Sequence, residues 1–302
     1  SNQMSIKWSG TMPAITTPFN ADYSVDHGFI RQHVQWLVEN GCTGIVPCGS
    51  LGESATLTST EKVEIMKTVV EAVGNKVPVI PGIAALSTAE AVGLAKAAED
   101  VGCKAIMILP PYVYSSDWSE MRAHIAEVAN ATKLPGLLYN NPVAYKTDFS
   151  PAQIADIAQA FPQVQAVKES STDARRVSGI RALIGNRLAI GVGVDDCLTE
   201  GVSAGAQFWI AGLVNAFPKE SVALYDYAMA GKTEEAFAIY RWFLPLLRMD
   251  TVVKFVQLIK LVQQEVGMGN ERVRAPRLTL TGAEREECLA TLRVALANRP
   301  KL

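Results

Sequence analysis

Short apolar runs alternate along the chain with longer amphipathic stretches. The apolar runs predict eight strands, at 11–18, 43–49, 77–84, 104–110, 134–140, 164–168, 188–193 and 206–212. They are apolar nearly throughout, as in Ala105-Ile106-Met107-Ile108-Leu109, which suits parallel strands covered on both faces. Between them, apolar residues three and four apart predict helices at 28–40, 59–74, 88–101, 118–130, 151–160 and 173–184. Asn40-Gly41, Gly102 and Gly185-Asn186 stand where helices should end, and Thr58, Ser150 and Asp173 where they should begin. Beyond about residue 217 only helical patterns follow, at 217–230, 233–248, 250–267 and 282–298. Eight βα units suit a closed barrel or a doubly wound sheet. The strand count, and the lack of a Gly-rich dinucleotide fingerprint after the first strand, favour an α/β (β/α)8 TIM barrel over 1–231. Residues 232–302 are then a C-terminal helical extension.

Composition narrows the function. The 302 residues are 49% hydrophobic and 19% charged, with a formal net charge of −2, the profile of a folded globular protein. No block of basic residues exists to bind nucleic acid. No apolar run reaches the roughly 18 residues of a membrane span. Ser1 to Gln3, ahead of Met4, are too short and polar for a signal peptide and read as a cloning remnant. Five scattered cysteines without a CxxC, and three histidines, argue against a metal site and fit a reduced, cytoplasmic setting. His124 falls in a helical pattern, on the outside of the expected barrel.

In such a barrel the chemistry lies at the C-terminal ends of the strands. There the sequence places Gly49-Ser50-Leu51-Gly52-Glu53, Tyr139-Asn140-Asn141-Pro142, Lys168-Glu169-Ser170-Ser171 and Gly193-Val194-Asp195-Asp196. Lys168 closes a buried strand, where desolvation favours the neutral, nucleophilic amine; the bland alternative is an ion-paired lysine at a strand end. Tyr139 is either a proton relay beside it or a packed residue at the rim. The Gly49–Glu53 loop is either a nest for a carboxylate or a simple turn, with Glu53 expected to cap backbone N–H groups near the next helix. Asp195 and Asp196 suit a helix start better than a metal pair.

Together with Ala14-Ile15-Thr16-Thr17-Pro18-Phe19 and Pro110-Pro111-Tyr112, this ordered set resembles the dihydrodipicolinate synthase/N-acetylneuraminate lyase family of class I aldolases, over nearly the whole chain. The resemblance implies that Lys168 forms a Schiff base with a small 2-oxo or cyclic 2-imino acid and that Tyr139 relays protons. It further implies that Ser50 and Leu51 bind the substrate carboxylate through backbone amides, and that Ile210 offers a backbone carbonyl near Lys168. It implies no metal, no organic cofactor and a homotetramer built as a dimer of dimers.

Three positions depart from the synthase pattern. Ser50-Leu51 replaces two adjacent threonines, so the second hydroxyl is lost. Val113 stands where a neighbouring subunit's relay tyrosine is expected. Ala144 stands where an arginine should hold the carboxylate of an aldehyde partner; Tyr114 or Lys146 could substitute only in part. The motifs through Arg175-Arg176, with the segments 209–218, 239–243 and 273–277, look more like the Δ1-pyrroline-4-hydroxy-2-carboxylate deaminase branch of hydroxyproline breakdown. The resemblance leaves other outcomes of the same intermediate open: aldol cleavage or dehydration of 2-keto-3-deoxy sugar acids, 4-hydroxy-2-oxoglutarate cleavage, or dihydrodipicolinate synthesis. A barrel that binds a metabolite without catalysis is the reading from another class.

Overall fold

The computed structural model describes residues 6–111, 114 and 117–302. Ser1 to Gln3, Tyr112 and Val113 therefore lie outside the described residues. The strands are β1 (Gly10–Pro13), β2 (Gly82–Ile83), β3 (Ile106–Ile108), β4 (Gly136–Asn140), β5 (Val164–Glu169), β6 (Ala189–Val192) and β7 (Phe208–Ala211). All ladders are parallel, in the order β1-β7-β6-β5-β4-β3-β2.

The expected strand at 43–49 forms no ladder of its own. It makes single parallel bridges, Ala14↔Val46 on one side and Ile45↔Val79 on the other. Val46 N donates to Pro13 O (2.9 Å), and Gly82 N donates to Pro47 O (2.8 Å). The two outer strands of the sheet, β1 and β2, are thus linked through segment 43–47. The regular ladder breaks here for a chemical reason: Pro47, Pro78 and Pro81 have no N–H to donate.

The helices are α1 (His27–Glu39), α2 (Ser59–Val73), α3 (Thr88–Val101), α4 (Trp118–Asn130), α5 (Pro142–Tyr145), α6 (Pro151–Ala160), α7 (Arg175–Ile184), α8 (Leu198–Ser203), α9 (Pro218–Met229), α10 (Thr233–Leu247), α11 (Phe255–Glu265) and α12 (Gly282–Ala297). Thr58 and Ser150 cap α2 and α6 as reciprocal capping boxes with Glu61 and Gln153. Gly102 ends α3 in the left-handed region, at φ 98°. Asp173 is not a helix cap. α7 begins two residues later, and the Asp173 carboxylate instead accepts from Arg175 N (3.1 Å) and Arg175 Nε (2.8 Å).

The short helices α5 and α8 lack a full amphipathic period, and the pattern missed both. The expected helix at 250–267 divides into a 3-10 turn, Arg248–Thr251, and α11. Every residue of β1, β2, β3, β4 and β7 is buried, as continuous apolar strands require. His124 lies on α4, and its Nδ1 meets Thr88 Oγ1 at 2.8 Å, between α3 and α4. None of the helices formed by the described residues is long and apolar enough to cross a membrane.

Candidate active site

Parallel pairing sets the central geometry. β4 and β5 run in register with Tyr139 opposite Lys168, and β5 and β6 with Lys168 opposite Gly191. Tyr139 and Lys168 are both buried. Lys168 Nζ lies 4.3 Å from the centre of the Tyr139 ring. Among the described residues, Lys168 makes no hydrogen bond and no ion pair. Its stem runs over Gly193: a Cβ there would fall 2.8 Å from Lys168 Cγ, 2.9 Å from Cε and 2.0 Å from Ser170 Oγ. Only glycine leaves room for this side chain. Ser170 Oγ is buried and has no hydrogen-bond partner among the described residues.

Buried polar contacts hold the strand ends. Asn140 Nδ2 donates to Asp148 Oδ1 (3.1 Å) and Glu169 Oε2 (3.2 Å), while Asn140 Oδ1 accepts from Phe149 N (3.0 Å). Arg176 pairs with Asp148 at 2.7 Å. Asn141 Nδ2 donates to the Tyr139 hydroxyl (3.0 Å), and Asn141 Oδ1 accepts from Ala144 N (3.0 Å), which caps α5.

Ser50 and Leu51 are the central pair of a turn closed by Gly52 N donating to Gly49 O (3.1 Å). Thr17 Oγ1 holds the turn from below through Gly52 O (2.8 Å). The Ser50 hydroxyl is hydrogen-bonded to the Tyr145 hydroxyl. The Tyr145 ring stands edge-on to Tyr139, with centroids 5.9 Å apart at 69°.

Glu53 does not cap the next helix. At φ 58° its side chain turns toward the C-terminal helices, where Oε2 meets Lys260 Nζ at 2.6 Å and Oε1 accepts from Arg274 N at 3.0 Å. Burial pulls the Lys260 ammonium down to about 8, against the opposing pull of Glu53.

Asp195 and Asp196 diverge, so they form no metal pair. The described residues contain no cluster of three or more metal-binding side chains. The Asp195 carboxylate accepts from Gly212 N (2.9 Å) and Leu213 N (2.8 Å), while Asp196 O accepts from the Tyr240 hydroxyl (2.6 Å). Asp195 N donates to Asp250 Oδ2 (3.3 Å). Burial pushes the Asp195 carboxyl up, and burial together with the Asp195 charge pushes Asp250 well above the usual carboxylate range. For both carboxyls burial is the largest influence, and Lys168 pulls in the opposite direction. Gly212 permits the approach, since a Cβ there would lie 2.6 Å from Asp250 Oδ1.

The fold thus brings Lys168, Tyr139 and Gly193 together, with Ser50 and Leu51 on the adjoining loop. Ile210 is buried on β7 opposite Met12, across β6 from Lys168, with no hydrogen bond to it among the described residues. Ala144 is exposed, and so is Lys146 beside it. Tyr114 is exposed and donates to Glu120. No sequence motif marks Asp250 or Tyr145. Asp250 sits in a helical stretch with no strand to flag it, and Tyr145 was visible only as the neighbour of Ala144.

The family model described as the dihydrodipicolinate synthetase family matches residues 7–295. The chain is 32% identical over 267 residues to a 4-hydroxy-tetrahydrodipicolinate synthase of Methanococcus maripaludis, covering 88% of this chain and 91% of the relative. It is 32% identical over 286 residues to the enzyme of the same name from Cellvibrio japonicus, covering 95% and 98%. The crystal structure of dihydrodipicolinate synthase from Acinetobacter baumannii, complexed with pyruvate, superposes with a TM-score of 0.91 at 27% identity, covering 96% of this chain and 99% of that one.

Proposed function

Because the chain belongs to the dihydrodipicolinate synthetase family, we propose that it is a Schiff-base enzyme, built on a closed (β/α)8 barrel, that deaminates Δ1-pyrroline-4-hydroxy-2-carboxylate to 2,5-dioxopentanoate and ammonia. One observation carries the covalent chemistry. Lys168 is a buried amine at a strand end, unpaired among the described residues and lying against the Tyr139 ring. An amine so placed is positioned to attack a carbonyl or imine carbon.

In this reading Ser50 and Leu51 hold the substrate carboxylate from the turn, and the Ile210 carbonyl lies near the reacting nitrogen. Lys168 attacks C2 of the cyclic imine. Ring opening leaves the Schiff base on C2 and a free amine on C5. The protonated Schiff base acidifies C3–H, Tyr139 helps carry that proton away, and the enamine expels the C4 hydroxyl as water. The proton taken from C3 balances the one that the leaving hydroxyl needs to depart as water. Moving the C3=C4 double bond outward places an imine on C5, and water there releases ammonia. A second water at C2 frees Lys168, so the net reaction consumes one water.

The exposed alanine at 144 supports a substrate with no second carboxylate. The names of the relatives favour a second reading, condensation of pyruvate with a carboxylate-bearing aldehyde. Subunit assembly into a homotetramer is part of the proposal and rests on the family resemblance.

The test supplies hydroxypyrroline carboxylate, generated in situ, and measures ammonia and 2,5-dioxopentanoate. The wild type should produce both, and Lys168→Ala should lose activity by about a thousandfold or more. Product no higher than the Lys168→Ala background would reject the deaminase. Normal activity in Lys168→Ala would reject the covalent mechanism.

A further inference from the structure

We propose that Tyr145, hydrogen-bonded through its phenol to Ser50 Oγ, completes within a single chain the path by which protons leave and enter the Lys168 site. The inference rests on the Schiff-base reading and deepens it. It concerns a residue that acts through Ser50 and not on the substrate itself.

The local chain is shaped to bring Tyr145 there. α5 is a single helical turn, started by the Asn141 side chain and by Pro142 at its first position, and ended by Lys146 at φ 60°. Asn141 also donates to the Tyr139 hydroxyl, so the residue that holds Tyr139 also starts the turn that carries Tyr145. From the end of that turn the Tyr145 ring packs edge-on against Tyr139, and its hydroxyl bonds the Ser50 hydroxyl across the strand ends.

Exposure is graded along this line. Lys168 and Tyr139 are buried, whereas Ser50 and Tyr145 are half-buried. A pair of half-buried hydroxyls beside the Tyr139 ring suits proton transfer, because each can donate and accept at once. For each proton that Ser50 Oγ takes from the reacting side, it releases its own to the Tyr145 oxygen, and Tyr145 gives its own to water. Uptake runs the same steps backward, and neither hydroxyl gains net charge. Tyr145 supplies its hydroxyl from the same chain as Lys168.

Pyruvate in D2O tests this without using the proposed natural substrate. Its methyl protons exchange with solvent only while it is joined to Lys168, and borohydride traps the adduct as added mass. Tyr145→Phe keeps the ring against Tyr139 and removes only the hydroxyl. It should leave the trapped fraction unchanged and slow the maximal exchange rate by about tenfold to a hundredfold. Ser50→Ala should show the same loss, and the double variant should be no slower than the slower single, since both act in one path.

Exchange in Tyr145→Phe within about twofold of wild type would overturn the relay, as would singles whose losses multiply in the double variant. A change confined to the pyruvate half-saturation concentration would also overturn it, assigning Tyr145 to carboxylate binding instead. Should Tyr145→Phe fail to fold, wild-type exchange in Ser50→Ala overturns the relay alone. No added mass on wild-type Lys168 would remove the Schiff-base reading and the relay with it.

Discussion

At the scale of single residues, this protein depends on atoms that are absent. Gly193 has no side chain, and the Lys168 stem and the Ser170 hydroxyl occupy the space a Cβ would need. Gly212 does the same for the Asp250 carboxylate. Sequence could place Lys168 at a strand end, because an apolar run followed by one lysine is a local pattern. It could not say that the amine would be left unpaired, because that depends on what other segments bring near it. His33 shows the same limit. It is buried on α1, with Nε2 3.0 Å from Asn215 O, which assigns the proton to that nitrogen. Burial lowers it to about 4, only partly opposed by that hydrogen bond. An unfolded chain protonates this ring near 6.5, so between 6.5 and 4 the unfolded state binds more protons. Stability contributed by the neutral ring is complete above 6.5 and is lost as pH falls toward 4, by at most about 3 kcal/mol. Urea unfolding at several pH values should show this decline, and His33→Gln should flatten it. An equal slope in both proteins would dismiss the role of His33.

At the scale of elements, the Gly49–Gly52 turn and α11 form one mechanical unit. Lys260 on α11 and Glu53 beside the turn are almost fully buried and meet at 2.6 Å. Lys260 Nζ also donates to Arg272 O (2.6 Å) and lies 4.4 Å from the Phe19 ring. Removing one partner of such a pair strands a buried charge, so Lys260→Met should destabilise the fold by about 3–5 kcal/mol. Glu53→Gln combined with Lys260→Met should recover part of that loss, because no charge is then left uncompensated. Denaturant titrations of the three variants check both statements, and a Lys260→Met loss below about 1 kcal/mol would contradict the first. The Gly-x-x-Gly pattern pointed to a tight turn, but it held no information about α11, which lies some two hundred positions later in the chain.

At the scale of the whole molecule, the last strand ends at Ala211 and only helices and turns follow, yet the residues beyond 231 also reach the candidate site. The 3-10 turn Arg248–Thr251 carries Asp250 to Asp195, and α11 carries Lys260 to Glu53 beside the Gly49–Gly52 turn. The extension also covers apolar surface. Phe243 and Trp242 of α10 pack on Phe217, with centroids 5.8 Å away in each case. Ile259, Leu261 and Val262 of α11 are fully buried. A fragment ending at residue 231 should therefore lose cooperative thermal unfolding and should not trap pyruvate on Lys168. A fragment that melts cooperatively and still traps would show the extension to be dispensable.

The sequence by itself determined the parallel α/β plan, the strand order along the chain, most helix boundaries and the place of Lys168 at a strand end. Each of these is written in residues close together, as an apolar run, a cap or a terminal polar group. The structure alone decided how β1 and β2 are linked through a proline-broken segment, and that Asp195 and Asp250 meet beside Gly212. It alone decided which tyrosine meets Ser50 and where Glu53 points. Those outcomes are contacts between segments far apart in the chain, fixed by packing and by the scarcity of polar partners in a buried site, and no local pattern encodes them.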